Sequence, residues 1–161
     1  LTARHDDRAG PALIASRIGL QSEAEVFDEK TDLERMIGAQ IACGPVACVL
    51  VDEAQFLTHD QVWQLARATD AFNVPVMCYG LRTDFRGELF EGSATLLAIA
   101  DVIRELRTIC WCGSKATMVL RLDEAGQPVL EGDQVEIGGN ERYVSVCRRH
   151  WSARAPRAQS E

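Results

Sequence analysis

VACVLVDEAQF, at residues 46–56, is an apolar run of strand length that ends in two adjacent carboxylates, Asp52 and Glu53. A continuous apolar run of this kind is typical of a strand buried on both faces of a parallel sheet. Ligands of open α/β sheets bind beyond the carboxyl ends of the strands. In P-loop folds an aspartate there holds Mg²⁺, and a neighbouring carboxylate can act as a base. The alternative is a solvated acidic turn after a strand.

The sequence on either side alternates between helical and strand patterns. Thr31 with Glu34, and Thr58 with Gln61, form capping-box patterns that predict two helix starts, and the first helix should end at Gly44. We predict a further strand at 74–80 and a helix at 93–108. The inward stripe of that last helix is predicted to be Leu96, Leu97, Ala100, Ile103 and Leu106. Strand alternating with helix indicates an α/β fold with a parallel sheet, and the pattern changes to short strands and turns after residue 108.

Composition limits the classes of function. The chain has 161 residues and a net charge of -7, which disfavours the basic face that a general nucleic-acid binder needs. For the same reason we disfavour a helicase, although DEAQ at residues 52–55 resembles the acidic box of that class. No apolar run approaches the roughly 20 residues that span a bilayer, and no signal peptide is visible. We expect a cytoplasmic protein with neither a nucleic-acid nor a membrane partner.

The cysteines suggest a second site. TICWCG at residues 108–113 contains a C-x-C pair, and VCRRH at 146–150 contains C-x-x-H. A disulfide within the C-x-C pair would need a very small, strained ring, and a redox pair is more often C-x-x-C at a helix start. Three thiolates and one imidazole would fill the tetrahedral shell of a structural zinc ion. The predicted ligands are Cys110, Cys112, Cys147 and His150.

Two further segments could hold a ligand. Residues 80–92 follow a predicted strand and carry Leu81, Phe85 and Phe90, which either cap the core or line a pocket for a flat, aromatic ligand. Residues 135–147 contain a Gly-Gly pair and Tyr143, and this segment is either a ligand loop or an ordinary hairpin turn.

In this order, the motifs resemble those of the zinc-containing, cytosolic type of thymidine kinase, especially bacterial members with histidine as the fourth zinc ligand. The resemblance covers nearly the whole chain apart from its polar tail. It is carried by DDR (6–8), SRIGL (16–20), VLVDEAQFL (49–57), CYGLRTDFRGELF (78–90), TICWCG (108–113), MVLRLDEAG (118–126) and IGGNERYVSVCRRH (137–150).

The resemblance implies transfer of the γ-phosphate of ATP, bound with Mg²⁺, to the 5′-hydroxyl of thymidine. It implies that Glu53 is the general base. The residues implied at the ATP and Mg²⁺ site are Asp52, Gln55, Asp6 and Arg8. Those implied around thymidine are Phe56, Leu81, Phe85, Phe90, Gln134, Val135, Glu136, Ile137, Gly138 and Tyr143. Residues 134–138 match a lasso whose backbone hydrogen-bonds the base, and the zinc ligands match a structural site that anchors this lasso.

The implied architecture is an α/β P-loop-type parallel sheet with helices on both faces, plus a small zinc-binding β-rich lasso domain. We expect the nucleotide-binding domain at 1–108, the zinc-binding lasso domain at 109–151 and a disordered tail at 152–161. The family is usually a homotetramer, and this expectation carries over.

The sequence departs from the family at one point. The 161 residues contain no Gly-x-x-x-x-Gly-Lys-Ser/Thr phosphate loop. We therefore expect this chain to be a fragment of a longer, full-length kinase, with an incomplete sheet, one face uncovered and no kinase activity as written. Two alternatives remain: a non-catalytic nucleoside- and zinc-binding module, and a zinc-stabilised interaction domain with no nucleoside role.

Overall fold

The computed structural model describes residues 1–4, 12–15, 19–135 and 142–157. Its contacts group into two units. Unit 1 comprises Leu1–Arg82 and Phe90–Ala100, and unit 2 comprises Thr83–Leu89 and Asp101–Glu161.

Unit 1 contains parallel strands and three helices in its described part. Its elements are β1 (Thr2–Ala3), β2 (Leu13–Ala15), β3 (Gln21–Glu23), β4 (Val26–Phe27), α1 (Leu33–Cys43), β5 (Val49–Val51), a 3-10 turn (Ala54–Phe56), α2 (His59–Phe72), β6 (Val76–Cys78) and α3 (Glu91–Ile99). Strand β1 pairs in parallel with β4, and β5 pairs in parallel with β6. The Asp52 N–H donates to the Leu1 carbonyl at 2.9 Å and so joins the end of β5 to the start of β1. Parallel strands connected by helices confirm the predicted α/β class.

The two predicted helix caps differ in outcome. At α2 the capping box is confirmed, because the Thr58 side chain accepts from the Gln61 N–H and the Gln61 side chain accepts from the Thr58 N–H. At α1 the predicted cap is wrong, since Asp32 is the N-cap and accepts from the Arg35 N–H at 2.9 Å. The Thr31 hydroxyl is engaged instead with Asp28, whose N–H it accepts at 2.9 Å.

The core of unit 1 covers only one face of β5. Val49 and Val51 belong to the core with Leu33, Ile37 and other apolar residues of the helices, whereas Leu50 between them is 48% exposed. The prediction of a strand buried on both faces is therefore wrong for the described chain. Cys48, which lies in the same apolar run, is also exposed.

Helix α3 starts earlier and ends sooner than predicted. It begins after Phe90 and ends at Ile99, where Ala100 has extended backbone dihedrals. Residues 101–107 are not helical, and Ile103 and Leu106 of the predicted inward stripe are exposed. The helix instead buries Gly92, Ser93 and Thr95.

Gly92 allows α3 to approach the 3-10 turn closely. A Cβ atom at residue 92 would lie 2.6 Å from the Ala54 carbonyl oxygen and 2.7 Å from that of Leu57. Any larger residue would force the helix away from the turn that follows Asp52 and Glu53.

Unit 2 is rich in short antiparallel strands. Its elements are β7 (Thr108–Ile109), β8 (Lys115–Ala116), β9 (Met118–Leu122), β10 (Pro128–Val129), β11 (Tyr143–Val146) and α4 (Arg148–Ser152). Strand β9 is the middle strand between β10 and β11, and β7 pairs with β8 as a hairpin. Its core contains Cys110, Ala116, Leu120, Leu122 and Val146. The predicted change to short strands and turns after residue 108 is confirmed.

The chain continues beyond α4 with further backbone hydrogen bonds. The Ala153 N–H donates to the Arg149 carbonyl at 3.0 Å and the Ala155 N–H to that of His150 at 2.9 Å. These residues lie within the predicted disordered tail, of which 158–161 are outside the described residues. None of the helices in the described ranges has the length and apolar character needed to cross a bilayer.

Candidate functional site

Asp52 and Glu53 follow β5 directly, and both are half-buried. The Oδ1 atom of Asp52 accepts a hydrogen bond from the Glu53 N–H at 3.0 Å. Glu53 has a φ of 52° and a ψ of 39°, a left-handed conformation that costs a non-glycine residue about 1–2 kcal/mol. Backbone strain of this kind clusters at active sites, where surrounding contacts hold it in place.

The amide of Gln55 lies between Glu53 and Leu81. Its Nε2 atom donates to Oε2 of Glu53 at 2.5 Å, and its Oε1 atom accepts from the Leu81 N–H at 3.0 Å. The side chain is buried. The structure therefore brings together two predicted site residues, Glu53 and Gln55, with a third, Leu81.

The predicted apolar residues of unit 1 are arranged around the 3-10 turn. The rings of Phe56 and Phe90 meet edge to face, with centroids 6.0 Å apart and an angle of 79° between their planes. Phe90 is buried, whereas the Leu81 side chain is 53% exposed. Both polar groups of the Leu81 backbone are hydrogen-bonded, because its N–H donates to Gln55 and its carbonyl accepts from the Ser93 hydroxyl at 2.6 Å.

Phe85 lies in unit 2, in a loop closed by a bridge between Thr83 and Leu89. Its ring is buried, and the guanidinium carbon of Arg121 stands 3.8 Å from the ring centroid. The Trp151 indole donates to the Phe85 carbonyl at 3.0 Å. Protein groups therefore enclose this ring.

Asp84 organises the same loop from a buried position. Its Oδ1 atom accepts from the Arg86 and Glu88 N–H groups, each at 2.9 Å. Its Oδ2 atom accepts from the Arg86 Nε at 3.1 Å and from the Gln134 Nε2 at 3.3 Å. Gln134, at the edge of the predicted lasso, is thereby linked to the loop that carries Phe85.

Arg121 holds the backbone that leads into the lasso. This guanidinium donates to the carbonyls of Asp133, at 2.9 Å, and Glu131, at 3.2 Å. Val135 is the last lasso residue that the structure describes before residue 142, and Tyr143 is half-buried on β11. The predicted site residues Asp6, Arg8, Glu136, Ile137 and Gly138 lie outside the described residues.

The four predicted metal ligands come together in unit 2. Their ligand atoms all lie within 4.8 Å of one another. His150 Nδ1 is 3.3 Å from Cys110 Sγ and 3.4 Å from Cys147 Sγ, and Cys112 Sγ is 4.0 Å from Cys147 Sγ. A zinc tetrahedron with Zn–S bonds of about 2.3 Å has S–S edges of about 3.8 Å. The spacing and the soft donor set fit zinc, with His150 binding through Nδ1.

The local fold explains how these ligands meet. Cys110 and Cys112 lie in the tight turn of the β7–β8 hairpin, where the Gly113 N–H donates to the Cys110 carbonyl at 2.8 Å. Gly113 has a φ of 84°, which favours glycine. Cys147 is the N-cap of α4, and the helical turn brings His150, three residues later, to the same side.

Ser114 and Trp111 contact two of the predicted metal ligands. Hydrogen bonds from the side chain and backbone of Ser114 lower the pKa of Cys112 from 9.0 to about 7, which favours the thiolate that binds metal. The Trp111 indole stacks on the His150 ring, with centroids 4.0 Å apart and planes at 17°. All six cysteines are free, and the grouping of four ligand atoms favours the metal site among the three interpretations.

Sequence reasoning missed Asp84, Arg121, Ser93, Trp111 and Trp151 as parts of these sites. One signal was available for Arg121, because a charged residue inside the apolar strand MVLRL must find buried partners. No pattern in the sequence indicated the other four.

Comparison with known proteins matches residues 1–151 to the family described as thymidine kinase. Three relatives with that name are from Jannaschia sp. (strain CCS1), Ruegeria pomeroyi and Agrobacterium fabrum. The first is 62% identical over 151 residues, which are 94% of this chain and 77% of the relative. The second is 61% identical over 94% of this chain and 76% of the relative. The third is 63% identical over 93% of this chain and 78% of the relative.

Proposed function

This chain belongs to the thymidine kinase family, and we propose that the full-length protein transfers the γ-phosphate of ATP to the 5′-hydroxyl of thymidine. The observation that carries the mechanism is the placement of Glu53. Its carboxylate follows a parallel strand at the ligand edge of the sheet. The backbone of Glu53 is strained, and its carboxylate accepts a hydrogen bond from the buried amide of Gln55. Phosphoryl transfer depends mainly on positioning and on charge neutralisation, with little covalent chemistry for the protein.

Glu53 is the proposed general base. It takes the proton of the 5′-hydroxyl as the oxygen attacks the γ-phosphorus of ATP, while the bond from that phosphorus to the bridging oxygen of ADP breaks. A base must lie within hydrogen-bond reach of the proton it accepts, and a fixed carboxylate meets that condition better than a mobile one. ADP leaves with the electron pair of the broken bond.

Asp52 is proposed to act at the Mg²⁺ and phosphate site. Carboxylate oxygens are the ligands that Mg²⁺ prefers in proteins, and Asp52 directly follows β5. When bound, Mg²⁺ neutralises charge on the ATP phosphates. Asp6 and Arg8 are proposed for the same region by resemblance alone.

The thymidine-binding residues are proposed in two sets. In unit 1 they are Phe56, Leu81 and Phe90, and the contact of the two phenylalanine rings supports an apolar wall. In unit 2 they are Phe85, Tyr143 and the lasso residues Gln134, Val135, Glu136, Ile137 and Gly138. A lasso of backbone groups would discriminate strongly, because a base with the wrong hydrogen-bond pattern leaves buried groups unpaired.

Further properties are proposed with the family. The Cys3His group is a structural zinc site, since four protein ligands leave no position for a reacting water. We also propose a cytoplasmic homotetramer, with the nucleotide-binding domain at 1–108 and the lasso domain at 109–151. Free cysteines and zinc-binding thiols suit a reducing compartment.

The test is turnover by the full-length protein with ATP, Mg²⁺ and thymidine, measured as formation of thymidine monophosphate. Wild type should form it, and Glu53→Gln should form far less. Thymidine binding without turnover in wild type would favour the non-catalytic nucleoside-binding module. Zinc binding without thymidine binding would favour the interaction domain.

A further inference from the structure

We propose that Gln55 is a positioning residue for the Glu53 carboxylate and not a ligand of ATP or Mg²⁺. The inference rests on the proposed function, because it assigns a role to Gln55 in presenting the general base. Resemblance alone had placed this residue at the nucleotide and metal site.

The partners of Gln55 define the orientation of its amide. Oxygen and nitrogen of a glutamine amide must be assigned from their neighbours. The Leu81 N–H can only donate, so the atom 3.0 Å away is the amide oxygen. The Glu53 carboxylate accepts, so the atom 2.5 Å from its Oε2 is the amide nitrogen. Both polar ends of the side chain therefore have protein partners.

This pairing argues against direct metal binding. The amide oxygen is the only side-chain atom of glutamine that Mg²⁺ would take as a ligand, and here it accepts from the Leu81 backbone. Gln55 is enclosed, since the residue is 3% exposed, and turning its amide oxygen to a metal would break the bond to the Leu81 N–H. Losing a hydrogen bond at an enclosed amide is unfavourable.

Gly80 shows how tightly the amide is enclosed. A Cβ atom at residue 80 would lie 2.5 Å from Oε1 of Gln55 and 3.0 Å from its backbone nitrogen. Any larger residue at position 80 would therefore displace the amide of Gln55 or the backbone beside it. The packing leaves Gln55 little freedom to change its rotamer.

The hydrogen bonds extend from the base to the apolar wall. Ser93 donates to the Leu81 carbonyl, the Leu81 N–H donates to Gln55, and Gln55 donates to Glu53. Ser93 and Gln55 are buried. Leu81 is a proposed thymidine contact, so this series ties the position of the base to the segment that receives the nucleoside.

Two substitutions at residue 55 separate the role of the amide N–H from that of the amide oxygen. Gln55→Met keeps the length of the side chain but loses both hydrogen bonds. Gln55→Glu keeps an acceptor for the Leu81 N–H and replaces the donor to Glu53 by a second carboxylate oxygen. Gly80→Ala perturbs the amide without changing residue 55. Gln40→Met, at an exposed position of α1, is the matched control.

In the full-length protein we expect kcat to fall by about 10²-fold in both Gln55 variants, the scale expected when a reacting group is misplaced by 1 Å. Gly80→Ala should also lower kcat, and Gln40→Met should leave it unchanged. The half-saturating concentrations of ATP and Mg²⁺ should stay within about twofold, because a positioning role acts on the transition state alone. A loss of activity that excess Mg²⁺ or ATP restores would overturn the proposal, as would an unchanged kcat.

A second measurement does not need turnover. The side-chain amide protons of Gln55 can be followed by nuclear magnetic resonance, and a proton donated to a carboxylate forms a charge-assisted bond with a distinct resonance. Glu53→Ala should move that resonance towards the position of a solvated amide, and an unmoved resonance would overturn the proposal. If wild type binds thymidine without phosphorylating it, the proposed function fails, while this measurement still decides whether Gln55 holds Glu53.

Discussion

The guanidinium carbon of Arg121 lies 3.8 Å from the centroid of the Phe85 ring. The same guanidinium donates to the carbonyls of Glu131 and Asp133. Arg121 is 4% exposed, and a buried charge is stable only where it is paired or hydrogen-bonded. One side chain therefore holds both a proposed thymidine contact and the backbone that leads into Gln134.

Arg121→Lys is expected to weaken thymidine binding about tenfold, because an ammonium group neither stacks as a plane nor donates in a fixed fork. Isothermal titration of the full-length protein with thymidine measures the effect. Zinc content should stay at the wild-type level, which separates a local change from misfolding. Arg104→Lys, at an exposed position of the same unit, is the control and should bind as wild type. Equal affinities for Arg121→Lys and Arg104→Lys would remove Arg121 from the binding arrangement.

Glu53→Gln is expected to lower kcat by about 10²–10⁴-fold, the usual contribution of a general base. The change keeps the size and polarity of the side chain but removes its ability to accept a proton. The KM for thymidine should change little, because ground-state contacts remain. Steady-state kinetics of the full-length protein provide the measurement, with the exposed Glu29→Gln as control. Activity within about twofold of wild type would exclude Glu53 as the base.

Local signals in the sequence predicted the features that depend on neighbouring residues. The capping box at Thr58 and the C-x-C and C-x-x-H ligand pairs depend on contacts within a few positions, and the structure shows them. The boundary of α3 failed because a helical repeat of apolar residues continues past Ile99, although the backbone turns extended at Ala100. The Thr31 cap failed because the Thr31 hydroxyl bonds with Asp28, while the Asp32 side chain accepts from the Arg35 N–H and caps the helix.

Long-range polar contacts carried no signal of this kind. Asp84 and Gln134 are 50 positions apart, and Gln55 meets the Leu81 backbone across 26 positions. Nothing in the sequence near either residue identifies its partner, since the fold alone brings them together. These contacts organise the loops of the candidate site. The sequence therefore named residues of this site but not the contacts that hold them.

Cys147→Ser is expected to abolish zinc binding, because a hydroxyl does not replace a thiolate as a zinc ligand. Wild type should contain one zinc ion per chain by elemental analysis. Loss of the ion should also reduce thymidine affinity, since Cys147 follows β11 directly and anchors the segment that precedes it. Cys43→Ser is the matched control, because Cys43 is exposed on α1 and outside the ligand group. Full zinc content in Cys147→Ser would contradict the assignment.

Trp111→Ala is expected to release zinc to a colorimetric chelator faster than wild type, by about 10-fold, the lower end of the usual effect of groups that orient metal ligands. The indole stacks on His150 and donates to the Ala155 carbonyl at 3.1 Å, so it restrains the imidazole and the turn after α4 together. Trp111→Phe keeps the stacked ring but loses the hydrogen bond, and its release rate should lie between the two. Trp63→Ala removes an indole of almost equal exposure, 42% against 43%, from α2 in the other unit, and should release zinc as wild type does. Equal release rates for Trp111→Ala and Trp63→Ala would mean that the stacked indole has no part in holding His150.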